Sequence, residues 1–322
     1  MFDLSRHRSN IPVMPETKDT YKPKDWKAYN ESLCRRGSLV LWMEERVYRH
    51  WRDISRLGKV VGEQQYSDVV IEFCLTIKQV YGLALRQCTG FIKSIFAFMG
   101  LSELAVPDYS TLCRRSSALA VKVSQRPMGE KLHIAVDSTG LKVFGEGEWK
   151  VRKHGVSKRR TWRKLHLGID VNSQEIISCE LTENSVDDAA MTEPLLRQVV
   201  GKVEAFYGDG AYDKKKARKA VASAGAKAIV PPPSNAVKRE LPGLEERNQA
   251  ISRIQQSGRK TWKYEIGYHK RSLSETAMHR YKLVIGNTLT ARKMENQVTE
   301  VKVGCHILNV FRGCGMPNAV KT

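Results

Sequence analysis

The spacing of apolar positions changes character part-way along the chain. Over residues 66–123 they recur every three to four residues: Val69, Ile71, Cys74, Ile77 and Tyr81, then Phe91, Ile92, Ile95 and Met99. Such spacing predicts helices that each bury one face. Tyr66-Ser67-Asp68 can cap the first helix, and Pro107-Asp108-Tyr109-Ser110 opens a third one carrying Arg114 and Arg115. From Leu132 the period drops to two. Leu132, Ile134 and Val136 alternate with His133, Ala135 and Asp137, and the run ends in the turn residues Asp137-Ser138-Thr139-Gly140. Strands over 165–169 and 176–181, joined at Asn172-Ser173, complete an expected antiparallel meander. A helix over 187–200 follows, then a strand over 203–207 that ends in Gly208-Asp209-Gly210. A basic helix over 214–222 leads to a short strand over 226–230, stopped by Pro231-Pro232-Pro233. Helices over 244–256 and 267–282 come next.

The order β-β-β-α-β-α-β-α predicts a mixed α/β sheet, and it is the order of the ribonuclease H-like fold. Right-handed crossovers would lay the Asp209 strand beside the Asp137 strand, running the same way. Two carboxylates would then meet at the C-terminal ends of neighbouring strands, where α/β sheets usually place their sites.

Charge sharpens this picture. The chain has 322 residues, with 54 Lys and Arg against 34 Asp and Glu, a formal net charge of +20. That excess predicts a polyanion partner, nucleic acid before membrane surface. It is uneven: residues 150–164 hold Lys150, Arg152, Lys153, Lys158, Arg159, Arg160, Arg163 and Lys164, with Trp162 among them and no acid. Phosphate contact is the expected use of that stretch. The three helices of 66–123, with the Arg114-Arg115 pair on the last, match the outline of a helix-turn-helix, and equally of any three-helix bundle. Seven scattered cysteines with no C-x2-C spacing predict reduced thiols and no zinc site. No apolar run reaches about 18 residues and no signal-peptide core opens the chain, so no membrane association and a cytoplasmic, DNA-associated location are expected. Trp26, Tyr29, Leu33, Leu39, Trp42 and Trp51 read as core positions of a first ordered region.

On a helical wheel, Tyr268, Arg271, Glu275 and Lys282 share a stripe about 60° wide. A plain reading is a solvated face with an i,i+4 ion pair. A carboxylate between two cations and a phenol also suits phosphate chemistry at a metal. Asp137 and Asp209, taken singly, read as turn residues. Asp170, Asp187, Asp188, Asp213 and Glu300 are rival acids; Asp170 reads as a turn residue, and the Asp187-Asp188 pair and Asp213 as helix caps.

Taken jointly, the motifs carry a resemblance. The signature Tyr268-x2-Arg271-x3-Glu275-x6-Lys282 resembles that of bacterial insertion-sequence transposases of the DDE type. Asp137-Ser138-Thr139-Gly140-Leu141-Lys142, Trp162-Arg163-Lys164-Leu165-His166-Leu167, Gly208-Asp209-Gly210-Ala211-Tyr212-Asp213 and Arg259-Lys260-Thr261-Trp262 are similar to blocks of the insertion-sequence-five-like group. The resemblance implies a transposase that binds the ends of its element, frees 3′-OH ends and transfers them to target DNA by two-metal chemistry. It implies Asp137, Asp209 and Glu275 as catalytic metal ligands, with Mg²⁺ or Mn²⁺ as the ion. Tyr268, Arg271 and Lys282 become DNA contacts at the scissile phosphate. Lys158, Arg159, Arg160, Trp162, Arg163, Lys164, Arg114 and Arg115 are expected to contact double-stranded DNA elsewhere, and a homodimer would pair two ends. The expected organisation is a flexible arm (1–24), a helical DNA-binding region (25–128), a ribonuclease H-like core (129–289) and a helical tail (290–322).

Overall fold

The computed structural model describes residues 21–56, 66–124, 131–143, 162–240, 243–317 and 319–321. The expected contacts Lys158, Arg159 and Arg160, and nearly all of the arm, lie outside them.

Five helices form the N-terminal module: α1 (Trp26–Arg36), α2 (Glu45–Arg56), α3 (Asp68–Val80), α4 (Leu85–Phe98) and α5 (Tyr109–Ser116). The caps are those the sequence predicts. Ser67 accepts from the Val70 amide at the start of α3, and Asp108 from the Ser110 amide at the start of α5. Trp51 fills the middle of the module, edge-on to Phe73 and Phe96, and its indole donates to the Ala105 carbonyl at 2.7 Å.

The sheet is built on one long strand. β2 (Lys131–Val143) pairs antiparallel with β3 (Trp162–Asp170), which pairs antiparallel with β4 (Ile176–Glu183). Helix α6 (Thr192–Arg197), preceded by a 3₁₀ turn at Asp188–Met191, leads to β5 (Lys202–Tyr207). β5 lies parallel to the other edge of β2, and β6 (Lys227–Ile229), reached through α7 (Lys215–Ser223), lies parallel to β5. The order β4-β3-β2-β5-β6, antiparallel meander first and parallel strands after, is the ribonuclease H-like arrangement. It follows from the alternation in β2: Ile134 and Val136 enter one core and Ala135 another, so both faces need covering.

The strand expected to end in a turn at Asp137-Ser138-Thr139-Gly140 instead runs on to Val143, because Asp137 to Lys142 pair with Leu167 to Trp162 of β3. Three further departures from the sequence reading have local causes. The helix expected over 244–256 continues as α8 (Glu245–Glu265), broken at Gly258, whose φ of 83° no helix interior adopts. The helix expected from Gly267 is a 3₁₀ turn at Tyr268–Arg271 followed by α9 (Ser272–Val284), with Gly267 left-handed at φ 67°. At the N-terminus, β1 (Tyr21–Pro23) pairs with β8 (Ala319–Lys321), so the last residues of the expected arm are a strand.

The expected tail is the spine of the molecule. Helix α10 (Met294–Cys314) buries Val303, Ile307 and Phe311 in the core of the N-terminal module. Its Val301, Cys305 and Leu308 enter the core against β3, β4 and α9. A helix that is apolar on several faces must be buried on several faces. Gly304 lets α9 and α3 close on it; a Cβ there would stand 2.9 Å from the Tyr281 hydroxyl and 3.0 Å from Gln79. Among the described residues, no helix is long and apolar enough to cross a membrane.

Candidate active site

The site opens where β5 leaves the edge of β2. Ala135 stands opposite Tyr207, the last residue of β5. Two residues further along each strand direction come Asp137, still within β2, and Asp209, just past the end of β5. The edge of β2 is next paired at Lys142, by the short strand β7 (Thr288–Leu289). Into the gap between β5 and β7 comes the 3₁₀ turn Tyr268–Arg271, packed against both β2 and β5. Tyr268 and Leu273 settle on the apolar patch made by Ala135, Ala205, Tyr207 and Ile229. That apolar seat fixes the start of α9 and delivers Arg271 and Glu275 to the acids.

Arg271 bridges two of them. It donates to Asp137 Oδ2 at 3.1 Å through one terminal nitrogen, and to Glu275 through the other. Its side chain is 18% exposed and that of Asp137 19%, whereas Glu275 is 53% exposed. Asp137 also accepts from the Ser138 amide, and Asp209 from the Ala211 amide, each at 2.8 Å. Burial lifts the Asp137 carboxyl above its ordinary pKa. The Ser138 amide and Arg271 oppose this, and the charges of Asp209 and Glu275 push it up again. Burial raises the Tyr268 phenol too; Arg271 opposes that rise, and Asp209, Glu275 and Asp137 add to it. Three acids from three separate elements therefore share one electrostatic environment, with a single guanidinium between two of them.

Among the described residues, no three His, Cys, Asp or Glu side chains close around one ion position. Arg271 lies between Asp137 and Glu275 instead. The donor set nonetheless fits a hard divalent cation: carboxylate oxygens are its ligands, and the repulsion that raises Asp137 is what a cation relieves.

The remaining predicted residues divide. Lys282 is exposed, two turns beyond Glu275 on α9, and Arg114 is exposed on α5. Arg115 instead donates to the Tyr66 carbonyl and pairs with Asp68 at 2.5 Å, tying α5 to α3. Arg163 donates to Gln297 of α10 at 3.2 Å. Lys164 donates to the Val186 carbonyl at 2.7 Å and pairs with Asp188 at 3.1 Å. The Trp162 ring lies against Gly140, 3.2 Å from where a Cβ would stand, with Lys142 Nζ 5.8 Å from its ring centre. It anchors β3 to β2.

The rival acids have partners of their own. Asp170 accepts from the Ser173 amide in its turn at 2.8 Å, and Glu300 holds the amides of Thr290 and Ala291. Asp187 stands at the start of a 3₁₀ turn, as its capping role predicts, but its carboxylate takes Lys214 at 2.7 Å rather than a backbone amide. Asp213 is not a cap: it is buried between Arg218 and Arg247. Sequence reasoning also passed over Tyr212, buried three residues after Asp209. Its signal was the Gly208-Asp209-Gly210 turn, which folds the chain back on itself.

Two family models, each described as a transposase DDE domain, match residues 34–146 and 128–310. Among solved structures, the chain is similar at 9% identity and a TM-score of 0.34 to a piggyBac transposase synaptic complex with hairpin DNA, over 88% of this chain and 75% of that one. It is similar, at 9% identity and a TM-score of 0.32, to a Drosophila P element transposase strand transfer complex, over 85% of this chain and 86% of that one. Neither structural likeness is close enough to carry an argument. The second family match by itself takes in more than half of the chain, and the protein belongs to the DDE transposases.

Proposed function

We propose that the protein binds the ends of its own insertion sequence, cuts them to free 3′-OH groups and joins those to target DNA. Asp137, Asp209 and Glu275 would hold the divalent ions, Mg²⁺ or Mn²⁺. Such ions, when bound, activate water and stabilise the oxygen that leaves phosphorus. The observation that supports the reading is the meeting of Asp137 and Glu275, distant in sequence, on Arg271, with the charge of Asp209 acting on Asp137 at the same edge of the sheet.

The chain's own residues do the rest. Arg271 offsets part of the charge of Asp137 and Glu275, and its planar fork suits a phosphate equally well when DNA arrives. Lys282 and Arg114 are exposed and take backbone phosphates, as do Lys158, Arg159 and Arg160 in the basic stretch before β3. Arg115, Arg163 and Lys164 drop out of this role because their donors are engaged within the fold. Tyr268 keeps its phenol beside the acids and hydrogen-bonds the strand next to the scissile bond. Two copies, each holding one end, would pair the ends for joining, and the N-terminal helical module would contribute end recognition.

The test is a Mg²⁺-dependent assay on linear DNA carrying the element's ends, with a supercoiled target. The wild-type protein is expected to release 3′-OH ends and to join them to the target. Asp137→Ala should retain end binding and lose both reactions. Cutting without joining would reduce the protein to a nuclease. An Asp137→Ala variant that cuts at the wild-type rate would overturn the site.

A further inference from the structure

Helix α7 carries its charges against its own stability. Residues 214–239 hold eight Lys and Arg and no acid. Lys215 and Lys216 stand in the first turn of α7, where a helix gains from an acid and this one has none. Lys219 follows at i+4 from Lys215 and i+3 from Lys216, spacings at which like charges repel. On the helical wheel these three lysines lie within an arc of about 100°. Ala217, Arg218 and Val221 take the other side and are buried, where α7 packs on α6, β6 and the Asp188–Met191 turn. Lys215, Lys216 and Lys219 are exposed and make no hydrogen bond or ion pair with any described residue. Their neighbours are treated otherwise: Lys214 pairs with Asp187 at 2.7 Å, and Arg218 with the buried Asp213 at 2.5 Å. Where a cation of this segment serves the fold, the fold supplies it with a carboxylate.

The lysine face is held beside the acid site. Lys215 comes six positions after Asp209, and the chain between them is folded, with a 3₁₀ turn at Gly210–Tyr212. Asp213 then locks the start of α7 in place, gripped by Arg218 of the helix itself and by Arg247 of α8. Six residues reach at most about 20 Å when fully extended. The lysines therefore begin within about six base-pair steps of Asp209, at 3.4 Å per step.

The chemistry of the face selects its partner. A lysine ammonium is a point charge that meets phosphate oxygens and carries no sequence information in doing so. Besides the lysines, the exposed side of α7 offers Ala222 and Ser223. No arginine fork or side-chain amide stands there to read a base edge. An element's end has to be told from all other DNA, which needs such readout; the duplex that receives it needs only to be held. We propose that the lysine face of α7 seats target DNA, gripping the phosphate backbone of the receiving duplex a few base pairs from the acids.

The target role rests on the strand-transfer reading above, and the experiment separates the two. Lys215→Ala, Lys216→Ala and Lys219→Ala are combined in the full chain. Alanine favours helix and the like-charge repulsion is relieved, so the triple variant should melt at or above the wild-type temperature. For a duplex of unrelated sequence, its slope of log affinity against log salt should be smaller by about 2.7, three contacts at about 0.9 each. Cleavage at element ends, and binding of those ends in an excess of unrelated duplex, should match the wild type. Joining of pre-cut 3′-OH ends to a target held below saturation should fall by about tenfold or more. Arginine at the same three positions keeps the charges and should restore joining. An unchanged slope, unchanged joining or a failure of arginine to restore it would overturn the proposal, as would a lower melting temperature. A joining loss matched by equal losses of end binding and cleavage would give the face to the element's end and overturn the target role. A wild-type protein that neither cuts nor joins would overturn the transposition reading and the target role with it. Cutting and joining by the wild type, with normal joining by the triple alanine variant, would sink the proposal alone.

Discussion

Asp209 and Asp213 are four residues apart and live under opposite conditions. The Asp213 side chain is 1% exposed and held by two arginines, Arg218 at 2.5 Å and Arg247 at 3.0 Å. Those arginines reach on to the carbonyls of Val230 and Val237, stapling the Pro231-Pro232-Pro233 segment to α7 and α8. Around Asp213 there is more positive charge than negative, and every contact is internal. Around Asp209, Asp137 and Glu275 the balance reverses, with three acids and one guanidinium between two of them. The difference teaches how to tell a structural acid from a reactive one in a protein of net charge +20. A buried carboxylate supplied with cations is part of the frame. Carboxylates left short of cations, where cations are plentiful, fit the ion-holding role proposed above.

The comparison can be broken in order of expected effect. Asp213→Ala should be the most damaging change to stability, about 3–5 kcal/mol, because it leaves Arg218 buried and unpaired. Chemical denaturation checks this, and a near-neutral result would remove Asp213 from the frame. Asp137→Asn should do the reverse. Cleavage should fall by more than about a hundred-fold, beyond what an outer-shell contact contributes, while the fold is stabilised.

The pH dependence carries the sign of that second effect. The folded protein binds the Asp137 proton more tightly than the unfolded chain does, since burial and the neighbouring acids raise this carboxyl. The contribution of this group to stability therefore falls as pH rises from the ordinary carboxylate value through the raised one, and stays low above it. The melting temperature of Asp137→Asn relative to wild type should thus be higher at neutral pH than in acid. A constant or reversed difference would mean that Asp137 is comfortable as an anion.

The smallest effect belongs to the exposed cations. Lys282→Ala should leave melting unchanged and lower the slope of log affinity against log salt for end DNA by about 0.9, the share of one phosphate contact. An unchanged slope would remove Lys282 from the DNA surface.

Much of this was legible in linear order. The two-residue alternation through Ile134 and Val136 and the glycines around Asp209 marked the strands and the end of β5, because strand period and turn chemistry are local properties; the turn expected after Asp137 was overruled by pairing with β3. The Ser67 and Asp108 caps were legible for the same reason. Motif resemblance supplied the three acids. Harder to see was the role of residues 294–314. Apolar positions on several faces say that a helix is buried, not between which bodies. Lys164 looked like a phosphate contact because its partners, Val186 and Asp188, lie on another element.

By itself, then, the sequence determined the order of strands and helices and the excess of positive charge, since periodicity, capping and composition act over a few residues; the acids were singled out only through the motif resemblance. Tertiary structure alone decided that the edge of β2 stays unpaired between Asp137 and Lys142, that the Tyr268–Arg271 turn fills it, and that Asp213 is neutralised while Asp137 is not. The reason is physical: a charge's energy is set by what stands within a few ångströms of it, and those neighbours come from segments that the chain holds far apart until it folds.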